Sequence, residues 1–215
     1  MAGFSKLKHS HSDEVSSVAS MRDEHRAVSG SNDYTLRVWD LDTGDNLLAV
    51  AGHDSWIWGV AVTPDGQRAV SAHVDGAIVV WDLKTGEAIQ GFVGHIFTIN
   101  DVIMMPDEQH YITASDDETL KVWSLETDVR LLTTLSGHSG PIRGVALTPD
   151  GYHAVSASGD RTLRVWNLES GQPIATFTGD ETLCCCAVAN DGRTIIAGGG
   201  YGTVYFLSLE IPGKQ

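Results

Sequence analysis

Apolar residues in this chain come in short runs of strand length, broken by polar turns, with none of the long three-to-four-residue periodicity of an amphipathic helix. One stretch shows the pattern well. Ile142 to Leu147 reads as a strand, Thr148-Pro149-Asp150-Gly151 as a tight turn, and Tyr152 to Ser156 as a second strand. A loop through Asp160 leads to a third strand over Thr162 to Leu168. The turn Glu169-Ser170-Gly171-Gln172 then leads to a fourth over Ile174 to Thr178. Related turns recur at Thr63-Pro64-Asp65-Gly66, Ala189-Asn190-Asp191-Gly192, Asp42-Thr43-Gly44-Asp45 and Lys84-Thr85-Gly86-Glu87. Glycine supplies the positive φ of such turns, and Pro and Asp pre-set or bond them. Met21-Arg22-Asp23-Glu24 and Met105-Pro106-Asp107-Glu108 lack the glycine, so these two turns are expected to carry more strain.

The four-strand pattern repeats at a fixed interval. Trp39, Trp81, Trp123 and Trp166 step by 42, 42 and 43 residues, and His11, His53, His95 and His138 each lie 28 residues before one of them. A fifth, degenerate unit ends at Leu207, 41 residues after Trp166. A period this constant is the mark of a repeat architecture. Approximate unit boundaries are 11–52, 53–94, 95–137, 138–179 and 180–210, which makes residues 1–215 a single domain of five units.

Gly-His, then Asp, then a closing Trp-Asp at this spacing resembles the WD-repeat family. The resemblance covers essentially the whole chain. It implies an all-β fold, a β-propeller of five four-stranded antiparallel blades. It also implies that a His, a Ser or Thr, an Asp and a Trp form a hydrogen-bonded tetrad in each blade. Matched residue by residue, the tetrads are His11, Ser29, Asp33, Trp39; His53, Ser71, Asp75, Trp81; His95, Thr113, Asp117, Trp123; and His138, Ser156, Asp160, Trp166. The fifth unit has Asp180, Ala197, Tyr201 and Leu207 at these places, so apolar packing alone is expected to hold that blade. Phe4 and Leu7 repeat the apolar step of the outer strands, and residues 3–9 are therefore expected to complete the last blade and close the ring. A closed ring implies a monomer; an open one implies a dimer or part of a longer array.

Composition narrows the function. Fourteen basic against 28 acidic residues give a net charge of −14, which repels nucleic acid and anionic membrane surfaces alike. No run of 18 apolar residues and no signal-like segment is present, so a cytoplasmic protein is expected. Cys184, Cys185 and Cys186 are contiguous and odd in number, and read as free, buried structural thiols. No metal and no cofactor is expected, and no phosphate-binding Gly-Lys-Ser/Thr motif occurs.

Ser, His and Asp side by side also invite a hydrolase reading. Against it stands the repetition: an active site is built once, whereas this set occurs four times with an indole N–H that needs an acceptor. No catalytic residue is therefore assigned. Function should lie where the units differ. In the innermost strands the apolar pairs Val15/Val18, Ile57/Val60, Ile99/Val102, Ile142/Val145 and Cys184/Ala187 are three residues apart, which implies a bulge. The residue after the first member is Ser16, Trp58, Asn100, Arg143 and Cys185; the residue before it is Glu14, Trp56, Thr98, Pro141 and Leu183. From these columns Trp56, Trp58, Asn100, Arg143, Glu14 and Ser16 are the candidate partner-binding residues, with Arg143 expected to favour an acidic group on the partner. The expected function is a non-catalytic protein-interaction scaffold or sensor module binding a protein or peptide on one end face. The alternatives are a lectin-like ring, favoured by the two Trp but weakened by their single occurrence, and a five-bladed glycoside hydrolase, weakened because the columns offer one carboxylate, Glu14. The regular period and the closing Thr182 to Ala189 run are similar to arrays found in bacteria behind nucleotide-binding signalling domains.

Overall fold

The computed structural model describes residues 10–126 and 129–210. Its regular structure is all β, in five antiparallel sheets consistent with the blades of a five-bladed β-propeller. The first sheet is β1 (Val15–Ser20), β2 (Arg26–Ser31), β3 (Thr35–Asp40) and β4 (Asn46–Ala51). The second is β5 (Ile57–Val62), β6 (Arg68–His73), β7 (Ala77–Asp82) and β8 (Ala88–Val93). The third is β9 (Ile99–Met104), β10 (His110–Ser115), β11 (Thr119–Ser124) and β12 (Arg130–Ser136). The fourth is β13 (Ile142–Leu147), β14 (His153–Ser158), β15 (Thr162–Asn167) and β16 (Gln172–Thr178). The fifth has three strands among the described residues, β17 (Leu183–Val188), β18 (Thr194–Gly199) and β19 (Val204–Ser208). The expected closing strand, residues 3–9, lies outside the described residues. By its internal contacts the chain forms two compact units, one through Gly94 with the first two sheets and one from His95 with the other three.

Each strand follows from its alternation. In β15, Leu163 and Val165 point to one side and Arg164 and Trp166 to the other. Both sides are covered, because the fourth sheet is packed by the third on one face and the fifth on the other. The second strands carry small and β-branched residues and are the most buried, as in β14, where all six residues are inaccessible. The outer strands alternate between half-buried and exposed positions, as β4 and β8 do, because one face of them meets a neighbour.

The innermost strands are bulged. Pairing slips by one residue between Val15 and Ser17, Ile57 and Gly59, Ile142 and Gly144, and Leu183 and Cys185, and β9 slips at the same place between Ile99 and Asp101. The fifth unit corrects the sequence alignment by one position. Leu183, not Cys184, matches Val15 and Ile57, since Leu183 is the fully buried side chain that opposes Gly199, and Cys186 rather than Ala187 is the second member of the pair. The signal is the interval to the third strand: Leu183 lies 24 residues before Leu207, as Ile142 lies 24 before Trp166, so the fifth repeat loses its residue before β17. The cysteines are free, but Cys184 and Cys185 are exposed rather than buried. The two glycine-free turns hold Glu24 at φ 60° and Glu108 at φ 67°, where Gly66, Gly151 and Gly192 stand in the other units, so the side chain carries the left-handed strain there.

Candidate interaction site

In three sheets one hydrogen-bond chain ties the loop before the sheet to β-strands two and three. In the fourth sheet Trp166 donates its indole N–H to Ser156 Oγ at 2.9 Å, Ser156 lies 2.7 Å from His138 Nε2, and His138 Nδ1 lies 2.8 Å from Asp160. All groups are satisfied when Nδ1 carries the imidazole proton: Trp donates to Ser, Ser to His, and His to the carboxylate. Trp123, Thr113, His95 and Asp117 repeat this at 2.9, 2.7 and 2.8 Å, and Trp39, Ser29, His11 and Asp33 at 2.7, 2.6 and 2.9 Å. A fifth member was not foreseen. Thr35, Thr119 and Thr162 donate their hydroxyls to Asp33, Asp117 and Asp160 at 2.6, 2.6 and 2.7 Å, and their backbone N–H groups bond the same carboxylates. The signal in the sequence was a Thr two residues after each of these Asp, with Ala77 replacing it in the second unit.

Burial works against charge on these carboxyls, but the bonds from Thr, His and backbone outweigh it and hold Asp33, Asp117 and Asp160 well below the usual carboxylate range. His95 and His138 are pushed down by burial, against the pull of the adjacent Asp. The Ser-His-Asp geometry is that of a hydrolytic triad, yet Ser156 is fully inaccessible and its oxygen already accepts the Trp166 N–H. No substrate carbonyl can reach it.

The second sheet departs from this scheme. Ser71 accepts the Trp81 N–H at 2.8 Å, but its imidazole partner is His73 at 2.8 Å, not His53. The tetrad membership of His53 is corrected accordingly: it pairs only with Asp75, at 2.7 Å and near the surface. His73 stands where the other units have Ser31, Ser115 and Ser158, and its Nδ1 lies 3.2 Å from the Ser55 carbonyl, as those hydroxyls face the carbonyls of Asp13, Phe97 and Gly140. A ring long enough to reach that carbonyl also fills the space beside Ser71, so His53 is displaced outward, 4.8 Å from His73 centroid to centroid. Burial pushes His73 down to about 4.

In the fifth sheet the expectation of apolar packing alone does not hold. Glu181, buried in the loop before β17, accepts the backbone N–H groups of Tyr201 and Thr203, doing from the preceding loop what Asp33 does from within its own turn. The Thr203 hydroxyl first, and then those two backbone bonds, hold its carboxyl below the usual range. Gly199 leaves room for this carboxylate: a Cβ there would meet Glu181 Oε1 and push the side chain from its place. Tyr205 packs edge-on against Phe177 at 5.2 Å in place of an indole network.

The bulge column separates into two kinds of residue. Ser16 turns its hydroxyl to the carbonyls of Gly30 and Ile57, and the next residue, Ser17, accepts the Val60 N–H at 3.2 Å, so both tie the first sheet to the second. In the other unit, Asn100 donates to the Ile142 carbonyl at 2.8 Å and to Asp116 at 2.6 Å, and Asp101 accepts the N–H groups of Val102 and Val145 at 2.9 Å each. Burial pushes Asp101 up to about 6 despite those two donors. Trp58 and Arg143, by contrast, project into solvent, and so do Trp56 and Glu14. Arg143 is not a free cation: its Nη1 lies 3.8 Å from Asp116. Trp56 and Trp58 belong to one compact unit, Asn100 and Arg143 to the other.

The repeat spacing and the recurrent Trp-to-hydroxyl network are those of a known module. A family model described as WD domain, G-beta repeat (WD40) matches residues 4–40, 44–82, 86–124, 129–167 and 171–206. The chain belongs to the WD40 repeat family. WD40 repeats generally mediate protein–protein interactions and are generally non-catalytic scaffolds. Each WD40 match closes on the strand that bears the Trp or Leu207, and the last four run from one outer strand to the next third strand. Among the described residues of this WD40 chain no cluster of three or more His, Cys, Asp or Glu is arranged to hold a metal ion, and no helix is long and apolar enough to cross a membrane.

Proposed function

We propose that this chain is a non-catalytic WD40 interaction module that holds a protein or peptide partner at the loop-bearing end of its inner strands. The observation that carries this reading is the fate of the bulge column. Ser16 and Asn100 spend their polar atoms on neighbouring strands, whereas Trp58 at the same position leaves a large aromatic ring exposed beside a second one, Trp56. Trp and Arg are the residue types most often found at binding hot spots, and truncating one typically costs at least about 2 kcal/mol of affinity. In this reading Trp56 and Trp58 anchor a partner on the first unit, and Arg143 is a separate candidate contact on the second. Ser16 and Asn100 support the strands, and Glu14 adds acidity near the first inner strand. The acidity of the chain favours a partner that is basic around its contact points. A cytoplasmic sensor role behind a signalling domain fits that chemistry.

The test is capture of partners by wild type beside separate Trp58→Ala and Arg143→Ala variants, followed by titration of the captured protein. Each variant should keep the melting temperature, because each side chain is exposed, and Trp58→Ala should weaken binding about 30-fold or more. Undiminished capture by Trp58→Ala would refute the assignment.

A further inference from the structure

Neighbouring sheets leave a gap at the end that carries the turn from the innermost strand to the second, and the two units treat it differently. In the first unit Met21 of the first sheet and Leu83 of the second belong to one cluster there and are both buried. Leu48 of β4 lies over Gly86 of the second sheet, and Arg26 reaches Gly66 in the turn between β5 and β6. The strand registers identify the counterparts in the other unit. Thr133 opposes Val122 as Leu48 opposes Val38, and His110 opposes Ser124 as Arg26 opposes Asp40.

Between the third and fourth sheets these exchanges open a groove. Thr133 brings a methyl and a hydroxyl to the place where Leu48 brings a branched aliphatic group. His110 is held back by Asp107, 2.6 Å from its Nδ1, and Pro106 is what lies against Gly151, the counterpart of Gly66. The cavity measures about 450 Å³, a volume typical of ligand clefts. Met105 and Leu168, the counterparts of Met21 and Leu83, are only half-buried along it, and Leu132 and Tyr152 are 43% and 62% exposed. Asp107 and Glu169 line it as well, and neither Lys nor Arg does. Every lining residue belongs to the unit from His95, and the two sheets share one buried cluster.

We propose that this groove binds an extended peptide of a partner protein, which seats an aliphatic side chain on Met105, Leu132 and Leu168 and sets a Lys or Arg against Glu169. The aliphatic anchor follows from the floor: it takes from water the apolar surface that Leu48 already hides in the first unit. The cation follows from the walls, where two carboxylates stand without a basic residue on a chain of net charge −14. The extended form follows from β12, which contributes Leu132 and Thr133 to the groove and is the outermost strand of its sheet. Among the described residues no strand pairs with its outer edge, so a peptide main chain can bond there while alternate side chains turn into the groove. The anchor and the cation are then two residues apart. This surface is separate from Trp56 and Trp58, which lie on the other unit.

Fluorescence polarisation on the full chain, with end-blocked and dye-labelled heptapeptides, tests this. The probe carries Leu and Lys in turn at every second position, with Ser between them; one control has Ser for each Leu, the other Glu for each Lys. The Leu-and-Lys probe should bind saturably, and each control about tenfold more weakly or worse. Thr133→Leu rebuilds the plug of the first unit and should weaken the probe about tenfold or more, with far-UV circular dichroism and melting temperature showing an intact fold. Leu132→Ser, at an exposed position, gives the same reading should Thr133→Leu fail to fold. Glu169→Lys should weaken the probe about fivefold and narrow its lead over the acidic control. Absence of saturable probe binding overturns the proposal. So does a control that binds as well as the probe, or undiminished binding by folded Thr133→Leu or Leu132→Ser.

Discussion

Removing the indole from the fourth sheet should be far more damaging than removing it from the first. Trp166 is fully inaccessible, lies in the cluster between the third and fourth sheets, and donates to Ser156 at 2.9 Å. Truncating a buried Trp to Ala typically costs about 3–5 kcal/mol, and the lost hydrogen bond accounts for about 1 kcal/mol of that. Trp39 makes the same bond, at 2.7 Å to Ser29, but is only partly covered. The hydrogen-bond part is then the same while the burial part is smaller, so Trp39→Ala should cost about 2–3 kcal/mol. Urea denaturation followed by far-UV circular dichroism gives the two differences at a common slope. Trp166→Phe, which keeps most of the apolar volume, separates the N–H contribution and should cost the smaller share. Equal costs for Trp39→Ala and Trp166→Ala, or a Trp166→Ala cost below about 1 kcal/mol, would refute the assignment of these indoles as buried braces.

Two further outcomes follow from the departures in the second and fifth units. Burial holds His73 at a pKa of about 4 in the folded chain against about 6.5 unfolded, so the unfolded chain binds more protons between these values and stability is lost as pH is lowered through them. From about pH 8 to about pH 5 the loss from His73 is about 2 kcal/mol. His95 and His138 act in the same direction, while Asp101, raised to about 6, acts oppositely as its carboxyl becomes protonated. An NMR titration in which His73 took up its proton at or above about pH 6.5 would be inconsistent with its burial. In the fifth sheet, Glu181→Ala should lower the melting temperature and speed hydrogen exchange at the Tyr201 and Thr203 amides, with Glu181→Gln intermediate because one oxygen still accepts. Unchanged exchange at both amides would show that the carboxylate does not hold that turn.

The sequence by itself determined the repeat, the strand order within each unit, the bulge and three of the four Trp-centred networks. These are local or fixed-interval properties: alternation decides which side chains share a face, and a constant step from His to Trp can only be met by a repeated sheet. What only the tertiary structure decided is which of two chemically similar groups occupies one space. His53 and His73 are both near Ser71 in sequence terms, and the second wins because its ring starts inside the sheet while His53 must reach in from a loop. Glu181 stands at no tetrad position, yet its longer side chain reaches the turn that Tyr201 leaves without an Asp. Asn100 and Trp58 occupy one column, and periodicity cannot tell that the first bonds a neighbouring strand while the second is left in water.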